Sequence, residues 1–247
     1  MESPLNNTDI LLTGGTGRLG EQLRQLLPGI IAPPRRELDL TDPVQVYAAL
    51  ARYQPKLVVH AAAYTDVAGA EQNREACWRV NVDGTRSLVR GVLEHGAALL
   101  HISTDYVFYG DRGHYREDDP VGPVRNYYAL SKLVAEEIAR TVPCHLVVRT
   151  SFRPTEWPYP KAFTDVYTSQ DYVDIIAPQI ATAVRRFADI PFDTLHIATE
   201  RKSVFELARR RKPDVEAGSK HDVAVDLPSD ISLDISRWQQ LALDWQS

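Results

Sequence analysis

Cysteine is scarce in this chain: Cys77 and Cys144 are the only two among 247 residues. Neither belongs to a CxxC pair and the seven histidines are scattered, which leaves a zinc ribbon or a disulfide-stapled scaffold without ligands. Both thiols have apolar neighbours in the sequence and are expected to be buried and reduced, as in a cytoplasm. Basic charge is also short. With 28 Lys and Arg against 33 Asp and Glu, the formal net charge is −5, the wrong sign for a nucleic-acid binder. The single basic run, Arg209-Arg210-Arg211-Lys212, reads as a solvated helix end. No apolar stretch reaches the roughly 18 residues of a membrane span. The opening MESPLNNTD lacks the features of a signal peptide. Metal, nucleic acid and membrane are therefore all without support, and the expected location is cytoplasmic.

What is present is a regular alternation of apolar runs and helical stretches. Strands are expected at residues 10–13, 29–32, 57–60, 97–103 and 145–149, with helices at 18–27, 43–53, 73–95 and 127–140. The helix at 43 has Pro43 in its first turn, with Thr41 or Asp42 as its cap. Continuous apolar strands separated by helices are what a parallel sheet covered on both faces requires. The fold class is α/β, a doubly wound parallel sheet of the Rossmann type over residues 1–150. From 151 to 247 a smaller substrate-binding lobe is expected, beginning with the proline and aromatic loop RPTEWPYP at 153–160. Helices at 170–187, 204–210 and 236–243 and a strand at 194–198 follow, some of them returning to the main sheet. Such a lobe belongs at the carboxyl ends of the strands, where open α/β sheets bind ligands.

Directly after the first strand, Gly14, Gly17 and Gly20 recur at three-residue intervals, and Gly15, Gly17 and Gly20 also satisfy GxGxxG. Gly14 allows the tight turn, Gly17 lets a pyrophosphate approach the helix N-terminus, and Gly20 lets helix and strand pack closely. The motif alone is weak, but its place between strand and helix in the first βαβ unit makes it specific. The second strand should end on the residue that reads the adenosine ribose, and an acid there favours NAD. Here the segment runs Ile-Ala-Pro-Pro-Arg-Arg, with no acid before Glu37. Arg35 or Arg36 can pair with a 2′-phosphate, which favours NADP(H) and leaves NAD(H) possible. The alternative is that both arginines are solvated loop residues.

Tyr128 and Lys132 are four residues apart and share one helical face. A phenol titrates near 10, and a neighbouring ammonium is expected to lower it. Thr104, in the strand-end run Ser103-Thr104-Asp105-Tyr106, offers a hydroxyl to hold a substrate oxygen. The three together can exchange a proton at a carbonyl while a nicotinamide carries hydride. A Tyr-x-x-x-Lys spacing is common on surface helices, so its weight comes from the glycine turn and the Ser-Thr strand end. Tyr127, five residues from Lys132, points elsewhere.

Several longer stretches carry a resemblance: TGGTGRLG at 13–20, ELDLTD at 37–42, HAAAYTDVAGAE at 60–71, NVDGT at 81–85, ISTDYVFYGDRGHYREDDPVGPVRNYYALSK at 102–132, and VVRTS at 147–151. With these the chain resembles the extended short-chain dehydrogenase/reductases and is most similar to the dTDP-4-dehydrorhamnose reductase family. The resemblance implies a Rossmann fold, NADPH or NADH, and reduction of the 4-keto group of a deoxysugar nucleotide. It places Arg18, Leu19, Asp39, Leu40, Ala62, Ala63 and Tyr64 along the cofactor. It makes Tyr128 the proton donor, has Lys132 assist it and bind the nicotinamide ribose, and turns Thr104 and Asp105 toward the sugar. In related dehydratases an acid follows the Thr-Asp pair. Tyr106 stands there in this chain, which favours simple reduction over elimination.

The chain also departs from the family. The usual Arg-Thr-Ser-Trp reads Arg149-Thr-Ser-Phe152, keeping an aromatic substrate contact beside Arg149 without the indole. VDxAE reads Val67-Ala68-Gly69-Ala70-Glu71. Beyond 151 the match thins and the lobe reads as shorter than the family norm. Two other outcomes follow from such departures: a non-catalytic NADP-binding regulatory subunit, or an NAD-dependent sugar-nucleotide epimerase. A homodimer is expected through the helices at 73–95 and 127–140, with Leu88, Val92, Ala135 and Ala139 as the contact face. The alternative for those four residues is burial against the sheet.

Overall fold

A computed structural model of the chain describes residues 5–223 and 226–245. Five strands, Ile10–Thr13 (β1), Leu57–His60 (β2), Ala98–Thr104 (β3), His145–Thr150 (β4) and Thr194–His196 (β5), form a single sheet in that order. Every pairing in it is parallel. The helices that follow the chain are Arg18–Leu26 (α1), Pro43–Tyr53 (α2), Gly84–His95 (α3), Tyr127–Ala139 (α4), Val173–Arg185 (α5), Val204–Arg209 (α6) and Ser236–Asp244 (α7).

Alternate strand residues point to opposite faces, and both faces are covered. Ile10, Leu12, Leu57 and Val59 pack with Leu23 of α1 and with Ile176 and Ile180 of α5. Leu11, Val58 and Leu99 pack with Val46 and Leu50 of α2 and Leu88 and Val92 of α3. The doubly wound expectation holds, because a strand buried on both sides needs this unbroken apolar run. Asp42 caps α2, accepting from the amides of Val44 and Gln45.

The second expected strand is reduced to one bridge beside β1, where Ile31 exchanges hydrogen bonds with Leu12 and Ile10 at 2.7 and 2.9 Å. Pro33 and Pro34 follow immediately and have no N–H with which to extend a ladder. From that bridge the chain crosses back over β1 to β2 on its other side. The reversal puts the topological switch point between β1 and β2, where ligands of open α/β sheets lodge.

The expected long helix over 73–95 is helical from Arg74 onward but changes gauge. A π-helical turn, Arg79–Asp83, lies between Arg74–Trp78 and α3. A short helix, Val67–Gln72, precedes it, capped by Asp66. In the carboxy-terminal part, short ladders join Phe152–Arg153 to Asp171–Tyr172, Lys161–Phe163 to Glu216–Gly218, and Tyr167–Thr168 to Lys202–Ser203. They surround a small core of Trp157, Ala162, Val166, Val204, Ala208 and Val215. The segments of α5, β5 and α7 return to the main sheet.

Two expectations are corrected at this level, those for Cys144 and for the dimer face. Cys144 is exposed, since it lies in the turn that precedes β4, and only Cys77 is buried. The basic run is the solvated helix end expected, with Arg209, Arg210 and Arg211 exposed, and it also ties α6 to the start of α5, since Arg210 pairs with Asp171 at 2.8 Å and Arg211 with Asp174 at 2.6 Å. Leu88, Val92, Ala135 and Ala139 are all buried within the chain, so they cannot form a face for a second copy. Leu93 and Leu130 are the exposed leucines of those two helices. Among the described residues no helix is long and apolar enough to cross a membrane, and no group of three or more His, Cys, Asp or Glu is arranged to hold a metal ion.

Candidate active site

The crevice at the carboxyl ends of β1 to β4 opens into a cleft of about 860 Å³. One end is the glycine turn. Gly14 has φ +73°, and a Cβ there would lie 2.7 Å from the Ala62 amide nitrogen. At Gly20 a Cβ would stand 2.1 Å from the carbonyl oxygen of Gly14. Helix, turn and the end of β2 are thus in backbone contact. Gly17 is the N-cap of α1, and the first turn of the helix borders the cleft with amides that have no partner inside the helix. That is the cradle a pyrophosphate needs. The expected residues Gly14, Gly17, Arg18, Leu19, Gly20, Ala62 and Ala63 all line it.

Arg35, Asp39 and Leu40 line the same end. Asp39 shapes the turn, accepting from the Thr41 amide and hydroxyl at 2.9 and 2.8 Å and from Arg35 Nε at 3.0 Å. Of the two arginines considered, Arg35 borders the cleft while Arg36 is largely exposed and pairs with Glu37. An arginine that is 73% exposed and held by one nitrogen keeps donors for a 2′-phosphate.

At the other end Thr104, Tyr128 and Lys132 come together. Asn126 caps α4 by accepting from the Ala129 amide, and Glu71 accepts from the Tyr127 amide at 2.6 Å. This starts the helix so that Tyr128 and Lys132 turn inward while Tyr127 packs on Trp78. Burial, and next the Asp105 carboxyl, push the Tyr128 phenol above its ordinary range, and the Thr104 hydroxyl pulls it back. Lys132 is not among the strongest influences on the phenol. Its ammonium donates to the Ile102 carbonyl at 2.8 Å, so the expected lowering of the tyrosine by the lysine is not realised. Burial brings Lys132 itself down to about 8, with Glu136 partly opposing. Asp105, wholly enclosed, is raised by burial to about 6.

Three residues expected at the cleft are elsewhere. Tyr64 turns away to pack against Ala70, Cys77 and Tyr128, with its amide held by Asn81 at 2.7 Å. Asp105 lies behind the cleft wall, accepting from Thr104 at 3.1 Å. Arg149 points to the face of the sheet covered by α4, where Glu136 receives it through two nitrogens at 2.6 and 3.2 Å. Ser103 and Arg140 join that carboxylate, and Glu136 is held below the usual carboxylate range despite its burial, chiefly by Arg149. Arg149 therefore fastens β4 to the helix that carries Tyr128 and Lys132. Phe152 does line the cleft, as do Tyr106, Ser151, Arg153 and Tyr159. Tyr106 and Ser151 lie within the motif runs, whereas Arg153 and Tyr159 carry no pattern of their own.

A family model described as the RmlD substrate binding domain matches residues 8–232. The match continues well past 151, where the recognisable motifs stop. A dTDP-4-dehydrorhamnose reductase of Aggregatibacter actinomycetemcomitans is 33% identical over 180 residues, 69% of this chain and 61% of that protein. One of Streptomyces griseus is 41% identical over 139 residues, 54% of this chain and 45% of that protein. The aligned part is thus less than two thirds of either relative. Among solved structures, a hypothetical dTDP-4-dehydrorhamnose reductase from Sulfolobus tokodaii has a TM-score of 0.81 at 31% identity, covering 94% of both chains. A dTDP-4-dehydrorhamnose reductase from Bacillus anthracis in complex with NADP has a TM-score of 0.82 at 26% identity, covering 95% of this chain and 92% of that one. Both structures are covered over more than nine tenths of their length, so the similarity in fold extends past residue 151. With the glycine cradle, the switch-point cleft and a family match over most of its length, the chain belongs to the RmlD substrate binding domain family.

Proposed function

We propose that this chain is an NADP(H)-dependent reductase of a keto-sugar nucleotide, with a 4-ketone of a deoxysugar as the favoured substrate and NAD(H) as a possible second cofactor. The observation that carries the reading is the meeting of Thr104, Tyr128 and Lys132 at one end of a cleft whose other end is the glycine cradle. Residues 1–150 hold the dinucleotide, and segments from 151 onward form the substrate side. When bound, the reduced nicotinamide supplies hydride to the carbonyl carbon. The protein supplies the proton. A phenol raised by burial is fully protonated at neutral pH, which suits a general acid that gives its proton to a developing alkoxide. Thr104 holds the carbonyl oxygen against Tyr128, and Lys132 keeps a positive charge near the phenolate that results. Burial of the pair keeps water from the reacting carbon.

The test is NADPH consumption with a panel of 4-keto sugar nucleotides. Tyr128→Phe should lower kcat by about 10²–10⁴-fold, the range of one general acid, while NADPH affinity is kept. Equal rates for the variant and the parent would remove the mechanism. A non-catalytic subunit would need no such constellation, and an epimerase would keep its cofactor and show no net NADPH loss. We further place the chain in the cytoplasm as a homodimer. Its contact through α3 and α4 uses Leu93 and Leu130 in place of the leucine and valine taken into the core. Sedimentation at the monomer mass of 27.8 kDa would overturn that association.

A further inference from the structure

The proposed reaction leaves one cation of the cleft unused. Arg153 stands on the two-residue strand Phe152–Arg153, held parallel to Asp171–Tyr172, and it lines the cleft beside Ser151, Tyr159 and Gln170. Its Nε is closed off from solvent and has no acceptor. The guanidinium carbon lies 4.7 Å from the centre of the Trp157 ring. Other cations sunk into the fold are matched: Arg149 by Glu136, Lys202 by Asp171, and Lys132 by the Ile102 carbonyl. Among the described residues the Arg153 side chain makes no ion pair and no hydrogen bond. Tyr106 links it to the proton-donating end, since its ring meets Tyr128 edge-on at 6.3 Å and its phenol is acted on by the charge of Arg153.

A guanidinium that has lost much of its water without gaining an anion is costly. Its planar fork of donors fits an oxyanion through two parallel bonds, and an aromatic ring on one side fixes its plane. We infer that Arg153 receives an oxyanion carried by the substrate, so that the ketone at Tyr128 and the anionic group at Arg153 are gripped together. The inference rests on the reductase reading for the identity of the bound molecule. The oxyanion comes either from the phosphates of the nucleotide or from a carboxylate on the sugar. In both cases Arg153 decides which ketones are accepted, since a neutral ketone of the same size leaves it unpaired.

The test uses the full chain loaded with NADPH and titrated calorimetrically with dTDP and, separately, with glucuronate. Arg153→Gln should weaken one of the two probes by about 10- to 100-fold, the loss expected for charge-assisted hydrogen bonds, and leave NADPH affinity unchanged. Arg153→Lys, which keeps the charge without the fork, should fall between, and it carries the test where the glutamine variant fails to fold. Loss confined to dTDP assigns the phosphates, and loss confined to glucuronate assigns a sugar carboxylate. With a turned-over ketone, KM should rise by a similar factor while kcat changes little. The inference falls where the parent chain binds neither probe, or where the variants bind both as tightly as the parent. A parent that binds dTDP through Arg153 yet consumes no NADPH with any ketone would sink the reductase reading and leave the anion site standing.

Discussion

A methyl group at Gly20 would stand 2.1 Å from the Gly14 carbonyl oxygen, whereas one at Gly17 would meet only that same oxygen at 3.3 Å. The two glycines therefore do different work at one motif. Gly20 lets α1 lie against the turn, and Gly17 keeps the helix N-terminus open to the cleft. Gly20→Ala should cost about 1–3 kcal/mol of stability, the usual penalty of overpacking, together with NADPH affinity. Gly17→Ala should keep the melting temperature within a few degrees and still bind NADPH weakly, because its methyl projects where a phosphate must come close. Thermal denaturation beside an NADPH titration separates the two, and equal melting temperatures for both variants would show the division to be wrong. The glycine pattern was legible because its spacing is local. Arg149 and Tyr64 were misread because their side-chain direction depends on which neighbour claims them, Glu136 for the one and the Cys77–Tyr128 cluster for the other.

Among the elements, the π-helical turn Arg79–Asp83 explains the run NVDGT, which in sequence is only a mark of resemblance. The wider turn directs Asn81 inward, where it accepts from the Tyr64 amide at 2.7 Å and donates to the Tyr64 carbonyl at 3.2 Å and to Ser131 Oγ at 2.9 Å. Ser131 in turn donates to the Tyr128 carbonyl at 2.7 Å. One amide thereby joins the segment that follows β2 to the helix that carries Tyr128 and Lys132, the kind of duty for which π turns are kept. Asn81→Ala leaves several buried polar groups unpaired, at about 1–3 kcal/mol for each group left wanting. It should lower the melting temperature by several degrees and reduce kcat more than NADPH affinity. Asn81→Asp cannot donate to Tyr64 or Ser131 and should be no better. A melting temperature unchanged in both variants would deny the link. The helix over 73–95 was legible from its apolar period. The change of gauge was not, because its reason lies in hydrogen bonds to residues 64 and 131.

For the molecule as a whole, three buried histidines set the response to acid. Burial lowers His60 and His196 to about 3 and His101 well below its ordinary value, with Lys132 adding to the effect on His60 and His101 and Arg149 to that on His196. All three are neutral in the folded chain. Between pH 6.5 and about 3 the unfolded chain takes up protons that the folded chain refuses, so their contribution is complete above pH 6.5 and drains as pH falls. Asp105 runs the other way. Raised to about 6, it keeps a proton that the unfolded chain has lost between pH 3.8 and 6, and so favours the fold as pH falls through that window. Three histidines outweigh one aspartate, each worth about 1.4 kcal/mol per pH unit within its window. The melting temperature should fall steadily from pH 7 to pH 4. A flat or rising profile would mean that these rings are not enclosed as described.

Local order in the sequence was enough to determine the parallel sheet, the glycine turn between β1 and α1, and the single helical face shared by Tyr128 and Lys132. Each of these depends on residues within a few positions of one another, where period and spacing are decided. Tertiary structure alone decided that the phenol is raised and not lowered, that Arg149 faces Glu136, and that Arg153 is left facing the cleft without an anion. Those outcomes depend on burial and on partners many residues away, which set the dielectric surroundings and the direction of each side chain.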